Sequence, residues 1–91
     1  MNKDPCEKEY FKKIFEKCEE NIYGYEICVY IYYLGNEKRS SKRKYLLYFI
    51  NETFGEKTYF RKSISESEYM DIVSHINRYG VIDAYKKILY E

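Results

Sequence analysis

In Tyr25-Glu26-Ile27-Cys28-Val29-Tyr30-Ile31-Tyr32-Tyr33 the odd positions read Tyr, Ile, Val, Ile, Tyr. Side chains alternate between the two faces of a strand, and β-branched residues fit its pleated surface. The segment therefore predicts a β-strand with Ile27, Val29 and Ile31 toward a core. Its other face, Glu26, Cys28, Tyr30, Tyr32 and then Leu34, is aromatic rather than charged. That face needs cover from the rest of the chain or from a partner.

A basic run, Lys38-Arg39-Ser40-Ser41-Lys42-Arg43-Lys44, follows, and a second apolar-aromatic run begins at Tyr45. Residues 44–53 predict a second strand, apolar on both faces, joined to the first by a positively charged hairpin connection. Gly55 marks the next turn. Residues 57–63 predict a third strand, polar enough to be a sheet edge.

Helices are expected on either side. Asp4 can cap a first helix over residues 4–20, with Pro5 at its first position and Glu7 as a capping-box acid. Apolar residues at 6, 10, 11, 14, 15 and 18 occupy one half of that helix. Ser65-Glu66-Ser67-Glu68 is a capping box for a second helix, and Ile64 and Tyr69 form its hydrophobic staple. Tyr69, Met70, Ile72, Val73, Ile76 and Tyr79 make the buried face. Gly80 closes it, and a short third helix follows with Val81, Ile82, Ala84, Tyr85, Ile88 and Leu89 on one side. The expected architecture is an α+β fold, one domain over residues 1–91, with a three-stranded antiparallel sheet in the order α-β-β-β-α-α.

Thirteen tyrosines and five phenylalanines, with no tryptophan, supply much of the core in a chain of 91 residues. So small a domain cannot bury them all, and exposed tyrosine is a common interface residue. The net charge of +1 excludes a generally basic nucleic-acid coat. Five of the 16 basic residues lie in 38–44, leaving 11 basic against 15 acidic residues elsewhere, a net of −4. The positive field is thus local. Met1-Asn2-Lys3-Asp4-Pro5 is a polar start, and the apolar run Ile27 to Leu34 is too short to span a bilayer. A cytoplasmic protein with no membrane contact is expected, and with it reduced cysteines.

Chemistry-bearing constellations are sparse. His75 is the only histidine and reads as a surface or boundary residue, since catalysis needs converging groups rather than one ring. No nucleophile elbow, phosphate-binding loop or zinc-protease motif is present. Cys6, Cys18 and Cys28 are spaced by 12 and 10 residues, unlike the close pairs of structural zinc sites. On one helix Cys6 and Cys18 would stand about 18 Å apart. The cysteines read as free thiols packed as small apolar groups, with no metal and no cofactor.

Three architectures share parts of this element order. Double-stranded RNA-binding domains run α-β-β-β-α, but Ser65-Glu66-Ser67-Glu68 is acidic where that family presents lysines. Integrase-type three-stranded DNA readers lack a long first helix. In length and in α-β-β-β-α-α order the chain resembles the small phage-encoded anti-CRISPR inhibitors. That resemblance implies a protein-binding inhibitor from a phage or mobile element, and no motif carries a functional residue across.

The expected function is non-enzymatic protein binding. Tyr30, Tyr32 and Tyr48 are the candidate anchors. Lys38, Arg39, Lys42, Arg43 and Lys44 are the candidate steering charges, toward a protein partner with an acidic or nucleic-acid-binding surface. The alternative is nucleic-acid binding, with the same basic loop on DNA or RNA phosphates and tyrosines stacking on bases. Homodimerisation through the third strand is a further expectation.

Overall fold

A computed structural model describes residues 12–33 and 45–90. It is an α+β fold, but its order differs from the expected one. Four strands come first, β1 (Lys12–Glu20), β2 (Tyr25–Tyr33), β3 (Tyr45–Thr53) and β4 (Glu56–Ile64). Two helices follow, α1 (Glu66–Tyr79) and α2 (Val81–Tyr90). All neighbouring strands pair antiparallel in the order β1-β2-β3-β4.

The expected three-stranded sheet with a leading helix is therefore corrected. Residues 12–20 form an edge strand, and the rest of the segment read as a helix lies outside the described residues. Two physical reasons account for the difference. A bulge between Lys13 and Phe15 inserts Ile14 and breaks the period of two. It leaves adjacent apolar residues, Ile14 and Phe15, that imitate helical spacing. In addition, β2 is apolar on both faces and would make a poor edge. Pairing with β1 moves β2 to the interior and puts a Lys/Glu-rich strand at the rim, where charge blocks further pairing. Tertiary demand overrides the helix propensity of Lys and Glu. The α-β-β-β-α-α order behind the resemblance to anti-CRISPR inhibitors is thus not the order of this fold.

The other elements form as their sequences direct. The Glu68 backbone N–H donates to Ser65 Oγ at 3.2 Å, and the Ser65 N–H donates to Glu68 Oε1 at 2.8 Å. This capping box satisfies two orphan donors of α1. Gly80 takes a positive φ of 99° and donates its N–H to the Ile76 carbonyl. As expected, β4 is an edge strand.

Both helices lie on one face of the sheet. Ile27, Val29 and Ile31 of β2 and Leu47 and Phe49 of β3 are buried with Ile64, Ile76, Val81 and Ala84. Burying each large apolar side chain contributes roughly 1.5–3 kcal/mol, so this layer is the main core. From the helix face, Met70 and Tyr79 stay largely exposed. On the opposite face of the sheet, Tyr32, Leu46 and Tyr48 form a second buried cluster, with Tyr30 and Ile50 packed against it.

Cys18 and Cys28 face each other across β1 and β2 with a Cα–Cα distance of 4.0 Å. They are joined as a disulfide rather than standing as the free thiols expected from sequence. The strand register explains the pairing. A helical Cys18 could not have met Cys28 this way, so the misread helix also hid the bond.

Candidate functional site at the turn end of the sheet

The β1–β2 turn (residues 21–24) and the β3–β4 turn (residues 54–55) lie at the same end of the sheet. They are neighbours, because Tyr25 at the start of β2 pairs with Thr53 at the end of β3. Adjacent strands are about 4.8 Å apart. The strand ends joined by residues 34–44, Tyr33 and Tyr45, pair at the other end.

The first turn is built by Asn21. Its side-chain oxygen accepts from the Tyr23 N–H, its carbonyl accepts from the Gly24 N–H, and its own N–H donates to the Tyr25 carbonyl. Asn is suited to this local closure. The closure pushes the two residues between, Ile22 and Tyr23, into solvent at 91% and 76% exposure.

The second turn is shorter. Thr53 pairs with Glu56, leaving a two-residue loop, Phe54-Gly55. Both residues have positive φ, 50° at Phe54 and 85° at Gly55. This matches the mirror-image turn favoured in tight hairpins, where Asn, Asp or Gly normally fills the first position. Phe54 is the only non-glycine with positive φ among the described residues. It is also 85% exposed. A bulky L-residue in this region costs roughly 1–2 kcal/mol, and an exposed ring recovers none of that by burial.

Ile22, Tyr23 and Phe54 thus make an apolar tip. Acidic residues are concentrated in the strand ends around it. Glu20, Glu26 and Glu52 lie in one cross-strand row on the face away from the helices, followed by Lys57 on β4. Glu56 begins β4 beside Gly55.

The residues expected from sequence are placed differently. Tyr32 is 0% and Tyr48 3% exposed, so neither ring presents contact area. Tyr30 is half-buried, 6.3 Å from the Tyr48 ring, with Lys13 Nζ 5.4 Å from its centroid. Tyr48 also stacks on Tyr59 at 6.0 Å, and Tyr59 is the largely exposed member of this set. Lys38, Arg39, Lys42, Arg43 and Lys44 lie outside the described residues. Phe54 was missed because residues 44–53 end the apolar run one position earlier. The available signal was an aromatic directly before the glycine of a two-residue turn.

His75 bridges the helices. Its Nε2 lies 2.7 Å from Asp83 Oδ1, and its ring packs 4.8 Å from that of Tyr79. It lines a shallow cleft of about 340 Å³ between α1 and α2 with Asp71, Arg78 and Lys87. Among the described residues no serine, threonine or cysteine is hydrogen-bonded to the ring. The arrangement ties α1 to α2.

Among the described residues no helix is long and apolar enough to cross a membrane. Comparison with family models, curated proteins and solved structures finds no match to this chain.

Proposed function

We propose that this chain is a non-enzymatic protein-binding module of the inhibitor type, which engages its partner with the turn end of the sheet. The observation that carries the reading is Phe54, a large aromatic held at φ 50° and left 85% exposed. It weakens the fold through backbone strain and gains nothing from burial in return. Strained residues that persist without a folding benefit concentrate at functional sites. Insertion of the ring into an apolar pocket returns roughly 2–3 kcal/mol.

Ile22 and Tyr23 extend the same contact, and aromatic anchors of this kind dominate binding energy. A two-residue turn between paired strands holds Phe54 in place before binding, so little entropy is lost on docking. Glu20, Glu26, Glu52 and Glu56 around the tip select a pocket rimmed by Lys or Arg. A nucleic-acid-binding surface on a protein has that character. The site of action is the cytosol in this reading, where the Cys18–Cys28 pair would cycle between bonded and reduced forms.

The test uses the immobilised full chain and its Phe54→Asn variant against nuclease-treated extract of the source organism, followed by titration of any purified partner. A protein held by the native chain and lost by the variant supports the reading, and equal retention overturns it. A gel-shift titration at two salt concentrations addresses the nucleic-acid alternative. Binding that weakens steeply with salt and survives Phe54→Asn would replace the present reading.

A further inference from the structure

Cys18 and Cys28 sit on the sheet face away from the helices, with Glu26 two residues before Cys28 on that same face. The two Sγ atoms and a Glu26 carboxylate oxygen all lie within 4.8 Å of one another. Cys18 and Glu26 are exposed and Cys28 is half-buried, so the group is open to solutes. No ion pair or side-chain hydrogen bond engages Glu26 or its cross-strand neighbours Glu20 and Glu52 among the described residues. Lys57 ends that cross-strand row opposite Glu52, whereas Glu20 and Glu26 face each other at the β1 end and repel, which favours a cation beside Glu26.

The disulfide closes a separation of only 10 residues inside a hairpin. Strand pairs flank it on both sides, from Lys12–Tyr33 to Glu20–Glu26. Opening the bond therefore leaves the register to hold the two sulfurs opposite each other. Two thiolates and a carboxylate are a soft-leaning donor set suited to zinc-class ions rather than to calcium or magnesium. Ligand bonds of about 2.0–2.3 Å place donor atoms roughly 3.3–3.8 Å apart around a tetrahedral ion. Once the bond is reduced, the sulfurs must part by roughly 1.7 Å from bonded contact, and the Glu26 oxygen, within 4.8 Å of both, must close by roughly 1 Å, both within reach of side-chain rotation.

We propose that Cys18–Cys28 is a redox couple whose reduced form, with Glu26, binds one zinc-class divalent ion. Two molecules of a small thiol reduce the bond, giving two cysteine thiols and one small-molecule disulfide. Binding the ion then releases the two thiol protons to water. Three protein ligands leave a fourth position for water or a partner side chain, as in open zinc sites. The hairpin is a cross-link when oxidised and a metal site when reduced. This inference does not depend on the role given to Phe54.

The experiment uses the full chain carrying Cys6→Ser, so that only this pair supplies thiolates. After reduction by a phosphine under anaerobic conditions, Zn2+ is titrated against a chromophoric chelator, and Co2+ is titrated as a spectroscopic probe. The account expects one equivalent per chain, thiolate-to-cobalt absorption, and no binding by the oxidised chain. Glu26→Gln should keep the thiolate bands and weaken Zn2+ binding at least about tenfold, as loss of a direct ligand costs no less than loss of its supporting group. Absence of stoichiometric binding to the reduced chain overturns the proposal. So does equal affinity of the oxidised chain or of Glu26→Gln.

Discussion

Glu19 Oε1, on edge strand β1, accepts a hydrogen bond from the backbone N–H of Ile82 at 3.0 Å, at the first turn of α2. A carboxylate at a helix N-terminus satisfies an orphan donor and complements the positive end of the helix dipole. This contact ties a Lys/Glu-rich edge strand to the helix layer. It also depends on the residue before α2. A Cβ on Gly80 would lie 2.6 Å from Glu19 Oε1, and Gly80 already needs its positive φ.

Glu19→Ala should therefore lower stability by about 1 kcal/mol, the usual cost of losing a helix cap. In a domain of this size that is a fall of roughly 4–8 °C in Tm. Gly80→Ala should cost more, because φ strain adds to the close approach. In the double variant the steric part disappears and the strain remains, so the two effects should sum to less than their separate values. Thermal melts of the four proteins read this coupling directly.

The disulfide is checked by digestion. Glu-specific protease cuts after Glu19, Glu20 and Glu26, all between Cys18 and Cys28. Under non-reducing conditions the two flanking peptides should run as one mass, and reduction should separate them. Replacing both cysteines by Ser should lower stability by about 2–3 kcal/mol on the loop-entropy estimate for a closure of this length.

Tyr45 offers a pH signature. Its ring stacks on Tyr69 with centroids 4.6 Å apart. Burial first, then the negative charge of Glu66 and the neighbouring phenols of Tyr33 and Tyr69, push its phenol above the ordinary value of 10.0. The unfolded chain thus ionises this group first as pH rises. The stability it contributes is full below pH 10 and is lost as pH climbs through the raised value. Between pH 9 and pH 11 the native chain should lose more stability than Tyr45→Phe, as measured by denaturant melts at each pH.

Much of the fold was legible in the sequence because several signals agreed. β-branched residues at 27, 29 and 31 marked both a strand and its buried face. Ser65 and Glu68 marked the start of α1, and Gly80 its end. Where signals conflicted, the reading failed. Lys and Glu in residues 12–20 favour a helix locally, and the bulge at Ile14 removes the alternation that would have argued for a strand. The strand forms because β2 needs a neighbour, which no window on residues 12–20 reveals. The same non-local demand fixed the Cys18–Cys28 pairing. The tyrosines misled for a related reason. Tyr32 and Tyr48 are buried, whereas Ile22, Tyr23 and Phe54, in turns that strand patterning passes over, are exposed.

The most direct test of the central claim is a paired measurement on Phe54→Asn. Asn suits the first position of this turn, so the variant should be about 1 kcal/mol more stable than the native chain by relief of backbone strain. Partner affinity should fall at the same time by tenfold or more, the loss of a buried aromatic anchor. Higher stability with lower affinity is the predicted result. Unchanged affinity in the stabilised variant would contradict the assignment of the turn end as the binding surface.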